Sequence, residues 1–296
     1  MAADTLGLDH RRLLAHDYAL INPLHVDSQF WSDLPVESLA PEGAVDTALY
    51  PCLLELARLP YDERIDLLDR DSAHRRHSRK AFFSALLRAS VPWKDLAAHL
   101  RRQMVMRGPP PAREQVLLRY YDPAVFRHLL WVLNQGQRYA LLGVVTHWSW
   151  RDPQHGWRQY ERENAPDPTR HMLDHLQWDT LKRLGLLNRS LQHWMRSERD
   201  LLNDGVDFYR RVDSLLKESW TVHQLRDEAD RHQYATFELR HPGIHRHPHL
   251  VERLAGARNG VTSYTGACRD LDLARLRNLA AELDTKTVAM DARTPR

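Results

Sequence analysis

The sequence predicts an α+β protein, with a mixed α/β lobe built on a small sheet over residues 1–163 and a helical lobe over 164–296. Three observations lead there. Short apolar runs recur through the first half between prolines, glycines and polar turns, the pattern of buried strands. A breaker-rich link, Asn164-Ala165-Pro166-Asp167-Pro168-Thr169, then interrupts the chain. Beyond it no strong strand pattern follows, and apolar residues recur at helical spacing instead.

Taken in order, Tyr18-Ala19-Leu20-Ile21 reads as a first buried strand that Pro23 stops, and Asp27 to Trp31 can open a short helix. Leu49 to Leu56 reads as another strand, which Pro51 pushes toward a sheet edge because it has no N–H for the ladder. Asp71 to Lys80 reads as a polar loop, its His74-Arg75-Arg76-His77 run solvated rather than an anion site. Phe82 to Leu87 is the next strand, and Pro92 suits a helix start whose face carries Trp93, Leu96 and Leu100.

Gln103 to Arg107 and Gln115 to Tyr121 form two β-like runs around Gly108-Pro109-Pro110-Pro111-Ala112-Arg113, an exposed hairpin tip because three prolines cannot pair in a ladder. Asp122 can cap and Pro123 can begin a helix with Phe126, Leu129, Leu130 and Leu133 on its apolar face and Gly136 as its stop. Tyr139 to Trp150 reads as a long strand bent at Gly143. After the link come helices carrying Leu184, Leu187, Leu191 and Met195, then Tyr209, Val212 and Leu216, and last Leu276, Leu279 and Leu283.

Composition narrows the function. The 42 basic and 39 acidic residues are intermingled, for a net charge of +3, which argues against a dedicated polyanion binder. Only five basic residues are lysines, and arginine suits planar contacts at protein interfaces, although genomic base composition explains the same bias. Cys52 and Cys268 stand far apart and belong to no paired spacing, so neither a disulfide framework nor a thiolate zinc site is expected. The first residues lack a basic-then-apolar run and no stretch approaches the ~18 apolar residues of a membrane span, so the expected compartment is a reducing cytoplasm.

No Gly-x-Gly pair, nucleophile elbow, His-Glu-x-x-His or Gly-Lys-Ser/Thr loop occurs, which removes the usual reasons to expect an enzyme. The strongest catalytic temptation is His241-Pro242-Gly243-Ile244-His245-Arg246-His247-Pro248-His249. Four imidazoles there could serve a metal-dependent hydrolase, but no obvious carboxylate or thiolate completes a shaped site and Arg246 intrudes. The run reads as a polar loop leading into a helix from Pro248, with no metal and no cofactor expected.

Trp148, Trp150, Trp157 and Tyr160 form an aromatic cluster interleaved with Arg151, Arg158 and Arg162. At strand spacing Trp148 and Trp150 share a face, which either covers the core or forms a protein-binding edge. A single-stranded nucleic-acid platform is a further alternative that Asp152, Glu161 and Glu163 weaken. Trp157 and Tyr160 lie in a stretch too polar to be fully buried, so their joint replacement by alanine is expected to spare the fold and weaken partner binding.

Leu117-Leu118-Arg119-Tyr120-Tyr121-Asp122-Pro123-Ala124-Val125 resembles the Arg-aromatic-Tyr-Asp-Pro signature of type VI secretion effector adaptors, the Tap/TEC chaperones. Tyr18 to Ile21, Tyr50 to Leu53 and Leu96 to Arg101 precede it in the matching order, and Leu141 to Val145, Trp148 to Trp150 and His247 to Leu254 follow. The polyproline tip and the histidine density around His245 depart from the pattern. The resemblance implies a non-enzymatic cytoplasmic adaptor that holds a toxic effector and delivers it to a VgrG or PAAR spike protein, without cofactor, nucleic acid or membrane. Physically, Arg119, Tyr121, Asp122 and Pro123 read as a joint between sheet and helix, with Arg119 and Tyr121 alternating against Leu118 and Tyr120 on opposite strand faces. A partner contact is the other reading of the same residues.

Overall fold

Runs such as Tyr18–Ile21 and Phe83–Arg88 bury nearly every side chain, so they need cover on both faces, and the chain supplies it with helices. The computed structural model describes residues 7–78, 80–111, 114–152, 155–164, 172–203 and 205–291. The fold is α+β, and the chain divides into two compact units, Met1–Asp179 and Thr180–Arg296. That division lies beyond the link at 164–169, of which residues 165–169 fall outside the described residues.

The first unit runs α1 (His10–Leu14), β1 (Tyr18–Ile21), β2 (Val36–Ser38), β3 (Cys52–Glu55), α2 (Tyr61–His77), β4 (Phe83–Arg88) and α3 (Trp93–Gln103). It continues with β5 (Val105–Arg107), β6 (Gln115–Leu117), α4 (Pro123–Val132), α5 (Gln135–Leu142), β7 (His147–Asp152) and β8 (Gly156–Glu161). Six strands form an antiparallel sheet in the order β2-β3-β1-β4-β7-β8, and β5 and β6 pair as a separate hairpin. Register sets the faces. Tyr18 lies opposite Leu87, and Leu87 opposite Trp148, so these side chains share one face with Leu20 and Trp150. On the other face Ala19, Ile21, Leu54 and Leu86 pack with Leu13 of α1 and Leu67 of α2. Each such leucine contributes roughly 1.5–3 kcal/mol on burial.

Several expectations need correction. Pro51 does not put its strand at an edge, because β3 lies between β2 and β1. Pro51 sits just ahead of the strand, where its missing N–H costs no ladder bond, and its carbonyl accepts from the Leu39 N–H at 2.9 Å. Asp71 to His77 is not a loop but the end of α2, with Asp71 and His74 turned inward at 1% and 3% exposure. The Arg75 guanidinium lies 3.0 Å from the Asp71 carboxylate, and the His74 ring packs edge-on to Phe30 and Phe82. The polar residues that suggest a loop therefore line a core-facing stripe.

Gly136 does not stop a helix; it lies inside α5. α4 ends at Val132, and Asn134 opens α5 through a capping box with Gln137, at 2.8 and 2.9 Å. The long strand expected from Tyr139 accordingly starts only at His147. Gly143, with φ of 52°, ends the helix at a point where a Cβ would stand 2.1 Å from the His99 ring. At the hairpin tip, Gly108 and Pro109 are buried rather than exposed, and a Cβ on Gly108 would meet the Trp178 ring at 2.7 Å. Residues 112 and 113 of that tip lie outside the described residues.

The second unit is helical, with α6 (His175–Ser197) from Thr180 onward, α7 (Val206–Thr221), α8 (Glu228–Arg240), α9 (Pro248–Arg258), α10 (Tyr264–Ala267) and α11 (Leu273–Asp291). Leu187, Leu191, Trp194, Val212, Leu216, Tyr234, Leu250 and Leu276 share its core. Inside it the Trp194 indole N–H donates to Thr236 at 3.0 Å, and Arg183 grips both oxygens of Asp213 at 2.8 and 2.9 Å. Among the described residues no helix is long and apolar enough to cross a membrane.

Candidate functional site

The signature begins where β6 ends. Leu118 to Tyr121 is a turn rather than a continuing strand, so its side chains do not alternate between two faces, and Tyr120 and Tyr121 are both 1% exposed. The turn is closed by Asp122, whose Oδ1 accepts the Ala124 N–H at 3.0 Å while Pro123 occupies the first turn of α4. The other carboxylate oxygen lies 3.5 Å from the Arg119 guanidinium and 3.8 Å from His25 Nε2. Burial holds the His25 pKa well below its ordinary value, against the opposing pull of Asp122.

Each tyrosine reaches away from the turn. The Tyr121 hydroxyl donates to the carbonyl of Leu49, and the Arg119 guanidinium sits 5.9 Å above the Tyr121 ring. The Tyr120 ring meets Trp148 at 5.5 Å, and Trp148 stacks on Phe126 of α4 at 4.7 Å. The signature thus ties α4, the segment before β3 and the Trp148 face of the sheet into one joint.

The aromatic cluster belongs largely to the interior. Trp148 and Trp150 are 1% and 5% exposed on the face that α4 covers, with Phe126 also edge-on to Trp150 at 5.1 Å. Trp157 lies opposite Arg151, so it points to the other face and joins the Leu54–Leu86 core at 8% exposure. The expectation that polar neighbours would keep it exposed fails, since Arg158 and Gln159 reach solvent from β8 while Trp157 stays buried. Tyr160 is half-buried, and its hydroxyl accepts from Arg138 Nε at 3.1 Å, fastening β8 to α5. The sequence cluster is therefore divided between two faces and presents no continuous aromatic edge.

The sequence reading missed a groove of about 730 Å³ in the first unit, lined by Arg102, Val105, Met106, Arg107, Leu141 and Met172 among others. Val105 and Met172 are 46% and 63% exposed, unusual for apolar side chains beside a cavity. Its wall is set by a reciprocal amide pair: Gln137 donates to Gln177 at 3.0 Å and Gln177 to Gln137 at 2.8 Å. The signal in the sequence was Val105 and Met106 between Arg102 and Arg107, which reads equally well as an ordinary edge strand.

In the second unit the histidine run is ordered. Ile244–Arg246 forms a 3₁₀ turn, and His247, 2% exposed, caps α9 ahead of Pro248. The sequence suggests no obvious carboxylate to complete a site there, yet the fold brings two to the run. Glu238 Oε1 lies 2.9 Å from His245 Nδ1, and Glu282 lies 3.2 Å from His247 Nε2.

The first unit thus combines an antiparallel sheet covered by helices on both faces with a buried tyrosine joint and an open groove. Residues 43–140, a span from ahead of β3 into α5 that includes the signature, match a family described as Domain of unknown function (DUF4123). No curated protein and no solved structure matches the chain.

Proposed function

We propose that the protein is a non-enzymatic adaptor that holds a type VI secretion effector and loads it onto a VgrG or PAAR spike protein in the cytoplasm. The observation that carries this reading is the overlap of the DUF4123 match with the Arg119–Pro123 signature, which resembles that of effector adaptors. The groove in the first unit supports it. Exposed Val105 and Met172 offer apolar contact while Arg102 and Arg107 supply positive charge, a combination suited to an apolar segment with acidic neighbours.

The test is co-expression with candidate type VI toxins and the VgrG and PAAR proteins of the same host, followed by affinity capture and mass spectrometry. The wild-type chain is expected to retain toxin and spike protein. Val105→Asp with Met172→Asp, both at exposed positions, should lose the toxin while keeping the wild-type melting temperature within a few degrees. A wild-type chain that retains neither partner overturns the adaptor reading. Full retention by the double variant removes the groove as the holding surface.

A further inference from the structure

Three side chains of the second unit, far apart in sequence, bring ligand atoms together. Glu218 lies near the end of α7, His223 just past it, and His245 in the 3₁₀ turn before α9. One ligand atom from each lies within 4.8 Å of the others. Two imidazoles and one carboxylate are a common donor set for zinc, whose bonds of about 2.0–2.2 Å would draw these atoms slightly closer.

The surroundings are arranged for that use. Glu238 Oε1 engages His245 Nδ1 at 2.9 Å and also accepts the His245 backbone N–H at 3.0 Å, while Oε2 accepts the Gly243 N–H at 2.8 Å. With Nδ1 committed to a carboxylate, His245 keeps Nε2 for an ion, as metal-binding histidines commonly do. His223 Nε2 is buried without a hydrogen-bond partner, and Glu218 Oε1 stands 3.9 Å away. Burial, with the neighbouring His245, lowers the His223 pKa. The Tyr234 ring packs 4.8 Å from His223 and 5.9 Å from His245, restricting both. The two imidazoles also line a cavity of about 360 Å³ with Arg246, Leu254 and Arg258. The cavity leaves room for water as a remaining ligand.

We propose that Glu218, His223 and His245 form a binding site for a divalent transition-metal ion of the zinc class, with Glu238 as the carboxylate that orients His245. The bound ion would tie the end of α7 to the turn that precedes α9. Only one member of the histidine run takes part. His247 is held by Glu282 and stacks on His249, and neither belongs to the ligand set.

The test is calorimetric titration of the untagged full-length chain, stripped with a chelator, against zinc chloride. About one ion per chain is expected, with a rise in melting temperature that a chelator reverses. His223→Gln and His245→Gln should each weaken binding at least about tenfold, with circular dichroism confirming the fold. His241→Ala with His249→Ala, in the same loop but outside the set, should leave it unchanged. Absence of stoichiometric zinc binding by the wild-type chain overturns the proposal. So does undiminished binding by folded His223→Gln and His245→Gln, or binding lost only in the His241/His249 double variant.

Discussion

The Tyr120 hydroxyl donates to the Leu100 carbonyl at 3.0 Å. Leu100 lies in the last turn of α3, where the amide that would normally serve it, Met104 N–H, bonds to Arg101 instead. The signature turn therefore satisfies a helix end that would otherwise be orphaned inside the protein. Tyr120→Phe keeps the ring against Trp148 but strands that carbonyl. Stability should fall by about 1–3 kcal/mol, read as a lower urea midpoint.

Asp122→Ala removes the cap of α4 and should cost about 0.5–2 kcal/mol. Asp122→Asn, which keeps a capping oxygen, should recover most of it. Both variants should still capture partners below their melting temperatures, since Asp122 is spent on Ala124, Arg119 and His25. An unchanged melting temperature with lost capture would instead mark Asp122 as a contact residue.

This division of labour was partly legible in the sequence. Asp122-Pro123 announces a helix start because capping and a preset φ are local effects, and Tyr18–Ile21 announces a buried strand because nothing polar interrupts it. The end of α2 was hidden because its inward stripe contains Asp71 and His74, whose burial depends on Arg75, Phe30 and Phe82. α5 was mistaken for strand because Tyr139 to Val145 is apolar. The overlooked signal was Asn134 followed three residues later by Gln137, a capping box. Neither the groove nor the Glu218–His223–His245 cluster could be read in advance, since each assembles residues that only the tertiary fold brings together.

Trp157→Ala should destabilise by about 3–5 kcal/mol, because the ring is buried in the core cluster that also holds Leu54 and Leu86. This reverses the sequence expectation that replacing Trp157 and Tyr160 together by alanine would spare the fold. Tyr160→Phe should be milder, about 0.5–1.5 kcal/mol, for loss of the Arg138 bond. Thermal unfolding of the two single variants separates these effects.

Stability should also fall with acid through His232. Its ring stacks on Trp194 at 5.1 Å and meets His193 at 4.6 Å, and burial, aided by His193, pushes its pKa down to about 4. Between that value and the ordinary 6.5 the unfolded chain binds the proton and the folded chain does not. The contribution is therefore present above about pH 6.5 and is lost as pH falls toward 4. His232→Gln should show a smaller drop in urea midpoint between pH 7 and 4.5 than the wild type. Equal drops would place the acid sensitivity elsewhere.

The strand order also limits how the gene can be dissected. The segment matched to DUF4123, residues 43–140, holds β3 and β4 but not β1, which lies between them, nor β7, the other neighbour of β4. Expressed alone, that segment would carry β3 and β4 as two lone strands of this sheet, each without either of its ladder neighbours, and such edges invite aggregation. A minimal fragment for binding or display work should start ahead of Tyr18 and run past Glu161, so that β1 through β8 are inherited together. Supplied separately, a peptide spanning Tyr18–Ile21 would be the natural candidate for restoring a truncated chain by complementation.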